Sequence, residues 1–105
     1  SLFPGTQALD EREKLVVATT APQGVKDRLT LTAPAINSAR AIVFLVSGSS
    51  KANAVWLALE APVQDNRRVP ARLIRPETGR LIWLLDRTAA SELTMAKQGI
   101  VSHEE

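Results

Sequence analysis

A short polar turn carries the clearest arrangement of chemical groups in the sequence. We call residues 47–51, Ser-Gly-Ser-Ser-Lys, the serine turn. Backbone N–H groups at a helix start, the hydroxyls of Ser49 and Ser50 and the ammonium of Lys51 together suit a phosphate. A Walker A loop needs further glycines and a Lys-Ser/Thr pair that this turn lacks. Serines that cap a helix beside an exposed lysine are an equally good interpretation.

Arg28 is the second basic group with a defined position. It starts residues 28–32, where polar and apolar side chains alternate, and this pattern predicts a strand with one buried face. Its guanidinium could form two parallel hydrogen bonds with an anion, although a water-facing arginine on an edge strand is the alternative. Ligands of open α/β sheets collect beyond the carboxyl ends of the strands, where the serine turn is expected.

No other group in the sequence predicts a reaction centre. Asp86 follows an apolar segment and is interpreted as a helix N-cap. The arginines between Arg67 and Arg87 predict a solvated loop surface, because Trp83, the one aromatic residue among them, belongs to an apolar strand. No Ser-His-Asp set, metal cluster or paired carboxylates can be assembled, so we predict no metal site and no cofactor.

Alternating strand and helix patterns must position these groups. Strands are predicted at residues 15–20, 28–32, 41–46 and 81–85, and helices at 34–40, 52–59 and 87–97. Residues 61–79 hold three prolines and predict a connection, with one helical turn starting at Pro70. This order predicts an α/β fold with a parallel-rich sheet and flanking helices.

The strand at residues 41–46 predicts that this sheet is incomplete. It is apolar throughout, which is typical of a central strand with neighbours on both edges and helices on both faces. The chain supplies few of either, so we expect half of a larger domain. A missing N-terminal half, or self-association through the exposed sheet edge, would complete it.

Composition sets the broad class of the chain. Its 105 residues are 45% hydrophobic and 23% charged, which predicts one compact domain, taken as residues 1–98 with a flexible tail at 99–105. A net charge of +2 does not favour nucleic acid as a partner. The longest apolar run has six residues, far below the ~20 of a membrane-spanning helix. Cysteine is absent and no signal peptide opens the chain, so we expect a cytoplasmic location.

Four separated segments resemble one enzyme family. They are residues 1–5 (SLFPG), 28–37 (RLTLTAPAIN), 47–52 (SGSSKA) and 83–87 (WLLDR). In this order they are similar to the C-terminal part of the 6-phosphogluconolactonases, which are related to the glucosamine-6-phosphate deaminases. The resemblance covers residues 1 to about 90.

This resemblance implies a fold and a reaction. The family has a Rossmann-like α/β fold and hydrolyses 6-phosphogluconolactone to 6-phosphogluconate in the pentose phosphate pathway, without metal. Its general-base histidine belongs to a Gly-His-Thr-Ala motif that immediately precedes Ser-Leu-Phe-Pro-Gly. That histidine would stand just before Ser1, so the resemblance implies no catalytic residue within these 105 residues and an inactive chain when it is alone.

The resemblance also implies roles for individual residues. Arg28 and Lys51 match residues that contact the substrate phosphate, which agrees with the local argument above. In the deaminases the position of Phe3 carries a glutamate linked to sugar ring opening, and a phenylalanine cannot transfer a proton. Lactonase is therefore favoured over deaminase. A noncatalytic sugar-phosphate-binding or assembly module is the remaining alternative.

Overall fold

The computed structural model describes residues 1–94, which form two compact units. The first unit comprises residues 1–42 and 65–80, and the second comprises residues 43–64 and 81–94. The strands and α-helices of the described residues are β1 (Val16–Thr20), β2 (Asp27–Leu31), α1 (Ala33–Asn37), β3 (Ala41–Val46), α2 (Ala52–Leu59) and β4 (Arg80–Leu85). Short 3₁₀ helices occupy Gln7–Asp10, Ser49–Lys51, Asn66–Arg68 and Pro70–Leu73.

In the first unit, β1 and β2 form an antiparallel hairpin. Val16 pairs with Leu31 at one end and Thr20 pairs with Asp27 at the other. The Ala21 N–H donates to the Lys26 carbonyl at 2.8 Å and closes the connecting loop. A parallel-rich sheet was the expectation, and this pair is antiparallel because a short loop joins the strands without a crossover helix.

The more buried side of the hairpin is its polar side. Thr30 is 5% exposed, whereas its neighbours Leu29 and Leu31 are 73% and 55% exposed. Arg28 is half-buried on the same side as Thr30. The predicted alternation is therefore confirmed, and the leucines form an uncovered apolar face among the described residues.

Thr32 joins the hairpin to α1. Its side-chain oxygen accepts from the Ala35 N–H at 3.3 Å and donates to the Lys14 carbonyl at 2.7 Å. It caps the helix N-terminus, and proline in the first turn is compatible with this position. The helix ends at Asn37, three residues before the predicted end at 40, because Ser38 leaves the helix as its C-cap.

Asn37 fastens the second segment of this unit to α1. Its amide nitrogen donates to the Leu73 carbonyl at 3.0 Å, and its amide oxygen accepts from the Arg75 N–H at 2.7 Å. The helical turn predicted from Pro70 is confirmed as the 3₁₀ helix Pro70–Leu73. One asparagine thus satisfies two backbone groups of an irregular connection.

Most of β3 and β4 lies in the second unit, where one face of this pair packs against α2. Donors and acceptors advance together along both strands, from Arg80 N–H to Arg40 carbonyl and from Asp86 N–H to Val46 carbonyl, so the strands are parallel. The buried core and the partly buried side chains packed on it are Val55, Ala90 and Leu93 with Val46, Trp56 and Leu85. Phe44 and Trp83 stack with ring centroids 4.1 Å apart.

The opposite face of β3 is uncovered among residues 1–94. Val43 is 50% exposed and Leu45 is 80% exposed, while the alternate residues are half-buried. Among the described residues β3 has one partner strand and one uncovered face, which agrees with the incomplete sheet that the sequence predicts. Its composition nevertheless matches a buried strand, which leaves a large apolar surface to be covered.

The helix predicted at residues 87–97 is absent over residues 87–92, which form turns. The Ala90 N–H bonds to the Asp86 carbonyl four residues back, but the Ser91 and Leu93 N–H groups bond to carbonyls three residues back, so no α-helix continues. This places Ala89 and Ala90, both 0% exposed, in the interior. The end of that helix, the boundary at 98 and the tail at 99–105 lie outside the described residues.

Candidate functional site

The serine turn begins directly where β3 ends. Gly48 has φ +98°, a backbone conformation that glycine adopts readily, and the chain then enters the 3₁₀ helix Ser49–Lys51 and α2. Ser49, Ser50 and Lys51 are exposed. The N–H groups that open a helix have no intrahelical acceptor, so the start of this segment presents donors beside the Lys51 ammonium.

Asp86 holds the serine turn in place. Both of its carboxylate oxygens lie 3.2 Å from the Gly48 nitrogen, which donates to them. Oδ1 also accepts from the Ala89 N–H at 2.8 Å and from the Thr88 hydroxyl at 3.0 Å. Asp86 was predicted to cap a helix, but residues 87–92 form turns, so its bond to the Ala89 N–H caps a turn. Its bond to Gly48 was missed, because the two residues are far apart in sequence.

The same contacts keep Asp86 ionised. The Ala89 N–H lowers its pKa most; desolvation opposes this effect, and the Gly48 N–H and the Thr88 hydroxyl lower the pKa further. The Asp86 carboxylate therefore already accepts the Gly48 N–H, one of the backbone donors in the turn that was predicted to bind a phosphate. Any phosphate there must use the other groups, Ser49, Ser50 and Lys51.

Arg28 is held by its neighbours in the first unit. Its Nε–H donates to the Val25 carbonyl at 2.7 Å, and its guanidinium carbon lies 5.7 Å from the Phe3 ring centroid. Within residues 1–94 it forms no ion pair and its two terminal nitrogens make no hydrogen bond. This end of the guanidinium presents donors in the fork geometry that matches a phosphate.

The two predicted phosphate ligands belong to different units. Arg28 lies in β2 of the first unit, and Lys51 lies with Ser49 and Ser50 in the second. Lys51, like Arg28, forms no ion pair within the described part of the chain. By contrast, Arg67 is paired, with Nη2 3.0 Å from Asp10 Oδ2.

A cleft in the first unit was not anticipated from the sequence. It has a volume of about 610 Å³, and its polar lining includes Glu11, Arg12, Asn37, Arg75 and Glu77. The Lys14 and Glu13 N–H groups donate to the Glu11 carboxylate and lower its pKa. Positive and negative groups balance in this lining, so the cleft carries no excess charge for a phosphate.

Two classes of site have no support among residues 1–94. No group of three or more His, Asp or Glu side chains in this part of the chain is placed to hold a metal ion. None of the helices described there has the length and apolar character needed to cross a membrane.

Comparison with known proteins places the chain in one family. The sequence profile described as glucosamine-6-phosphate isomerases/6-phosphogluconolactonase matches residues 1–83. The chain is 42% identical over 96 residues to the 6-phosphogluconolactonase of Homo sapiens, covering 90% of the chain and 36% of that protein. It is 46% identical over 93 residues to the 6-phosphogluconolactonase of Synechocystis, covering 89% of the chain and 37% of that protein.

Solved structures agree with this assignment. The 6-phosphogluconolactonase of Trypanosoma brucei aligns with a TM-score of 0.72 and 30% identity, over 88% of this chain and 36% of that one. The chain thus spans little more than a third of the length of these relatives. The α/β fold expected from the sequence is confirmed as part of their fold. The chain belongs to the glucosamine-6-phosphate isomerase/6-phosphogluconolactonase family.

Proposed function

We propose that the polypeptide containing this chain is a cytoplasmic 6-phosphogluconolactonase that hydrolyses 6-phosphogluconolactone to 6-phosphogluconate. The observation that carries this proposal is the identity of about 40% to proteins named 6-phosphogluconolactonase, across about 90% of the chain. Phe3 supports lactonase over deaminase, because its ring carries no group that can transfer a proton. The absence of cysteine from these 105 residues is compatible with the reducing environment of the cytoplasm.

The reaction requires a base for water and stabilisation of negative charge. Water attacks the lactone carbonyl and gives up a proton to the base, and the carbonyl oxygen becomes an oxyanion. The ring C–O bond then breaks as the base returns its proton to the ring oxygen, which yields a hydroxyl group and a carboxylic acid that loses its proton to water. We place the base on a histidine that precedes Ser1 in the complete polypeptide, so this chain contributes binding groups and no catalytic residue.

The task of this chain is to hold the phosphate of the substrate. Arg28 offers two free terminal nitrogens, and Lys51 offers an ammonium beside the hydroxyls of Ser49 and Ser50. Charge-assisted hydrogen bonds to a phosphate are among the strong contacts in proteins. Binding a group remote from the reacting carbonyl fixes the lactone relative to the base.

An assay of the complete polypeptide tests this function. We expect rapid conversion of 6-phosphogluconolactone to 6-phosphogluconate, above the spontaneous rate, and no release of ammonium from glucosamine 6-phosphate. The 105-residue chain alone is expected to be inactive. Ammonium release without lactone hydrolysis would identify a deaminase, and inactivity on both substrates would favour a noncatalytic binding or assembly module.

The uncovered apolar surface supports a further part of the proposal. Leu29, Leu31 and Leu45 are each more than half exposed, and exposed apolar area costs about 25 cal/mol per Å² relative to its burial. We assign the cover to the N-terminal part of the same family domain, since this chain spans only 36% of the human relative.

The chain without its cover is therefore expected to associate. Sedimentation of the 105-residue chain should show oligomers, which form through the exposed face and edge of β3. A fragment that supplies the N-terminal part should convert them to a one-to-one complex. A stable monomer with cooperative unfolding would contradict this expectation.

A further inference from the structure

Arg28 is oriented by a cradle that the sequence did not reveal. The cradle consists of Phe3, Gly24 and Val25, which lie in two loops of the first unit. The Val25 carbonyl accepts the Arg28 Nε–H at 2.7 Å, and the Phe3 ring lies 5.7 Å from the guanidinium carbon. A Cβ atom at Gly24 would lie 3.8 Å from Arg28 Nη2. The guanidinium thus has one backbone partner and one aromatic neighbour.

Both loops that form the cradle are themselves fixed. The Thr6 N–H and hydroxyl both donate to the Phe3 carbonyl, at 3.3 and 2.8 Å, and the Gly5 N–H donates to the Arg67 carbonyl. Gly24 has φ +74°, a conformation that allows its loop to turn beside Arg28. The Phe3 ring is therefore attached to a hydrogen-bonded turn and not to a free chain end.

The geometry decides which part of Arg28 can meet a ligand. A guanidinium within about 6 Å of an aromatic centroid is attracted to the electron-rich face of the ring. With Nε–H bonded to Val25, the remaining donors are on the two terminal nitrogens, which have no partner among residues 1–94. An arginine held in this way before its ligand arrives loses less conformational freedom on binding.

We propose that Phe3 is a positioning residue that holds the Arg28 guanidinium for the substrate phosphate. This inference rests on the proposed function, in which Arg28 is a phosphate ligand. Phe3 does not contact the reacting atoms in this role. It acts through Arg28, so its loss should weaken phosphate recognition and leave the chemical step unchanged.

The test is Phe3→Leu in the complete polypeptide, with Phe3→Tyr as the conservative variant. Phe3→Leu should raise KM for 6-phosphogluconolactone about two- to five-fold, with kcat unchanged, because one cation–π contact is lost. Phe3→Tyr, which keeps the ring, should restore the KM. The lactone without phosphate should show no change. If Phe3→Leu folds poorly, Phe3→Met carries the same test, because methionine fills similar space without a ring.

A matched control is available in the other phenylalanine of the chain. Phe44→Leu removes a ring stacked on Trp83 and should lower stability without changing the ratio of KM values for the two lactones. In an Arg28→Ala background, Phe3→Leu should have no further effect on KM, since the two residues act on one contact.

The outcomes separate this inference from the proposed function. If Arg28→Ala raises KM and Phe3→Leu does not, the positioning role is wrong and the phosphate role of Arg28 stands. If Arg28→Ala itself leaves KM unchanged, the proposed phosphate site is wrong. Equal loss of kcat on both lactones in Phe3→Leu would show a merely structural role and overturn the inference.

Discussion

Replacing Arg28 or Lys51 by alanine in the complete polypeptide is expected to weaken the binding of phosphorylated substrate by about ten-fold to more than one hundred-fold. Each substitution removes a charge-assisted contact of roughly 1.5 to 3 kcal/mol. Neither residue forms an ion pair within residues 1–94, so each is available to the ligand. The measurement is kcat and KM for 6-phosphogluconolactone, compared with the same lactone lacking phosphate.

The split between the two constants shows how the phosphate is used. If Arg28 and Lys51 bind it equally in the ground and transition states, the loss appears in KM. A loss in kcat would show that phosphate binding also places the carbonyl against water. Lys26→Ala is the control, because it removes an exposed positive charge two positions from Arg28. Unchanged discrimination between the two lactones in both variants would contradict the proposed site.

Gly79→Ala is expected to destabilise the folded protein by about 1–3 kcal/mol, the usual cost of forcing atoms into filled space. A Cβ atom at this position would overlap the Ala39 carbonyl oxygen and lie 2.9 Å from the Arg40 carbonyl oxygen. Both obstacles are backbone atoms, and the same Arg40 oxygen accepts the Arg80 N–H at 2.9 Å. The start of the β3–β4 pairing would have to shift to make room.

Denaturant unfolding of the complete polypeptide measures this effect as a lower midpoint. Thr78→Ala is the control, because it places the same side chain one position earlier at an exposed site. Its effect should stay within about 0.5 kcal/mol. Equal midpoints for Gly79→Ala and Thr78→Ala would contradict this prediction, because they would show that the carbonyls of residues 39 and 40 can move aside without loss of stability.

Much of the local structure could be predicted from the sequence. The strands β1 to β4 lie within one residue of the predicted bounds at every end, because alternation and apolar runs report the immediate surroundings of each residue. The helix predicted at residues 52–59 is confirmed with these bounds as α2, on which Ala52 and Val55 are 4% and 2% exposed. The four motif segments were sufficient to identify the family.

Tertiary structure decided which groups meet. The hydrogen bond from Gly48 to Asp86 and the contact of Phe3 with Arg28 join segments that are distant in sequence. The periodicity of a sequence carries no information about such pairs. On β2 the polar side became the buried side, although composition alone favours burying leucine. At residues 87–92 a cap signal was present, yet burial of Ala89 and Ala90 accompanies a turn instead of a helix. The sequence by itself thus determined the local elements and the family. Only the fold decided the surroundings of Arg28 and the serine turn, because contacts between distant segments depend on how the backbone brings them together.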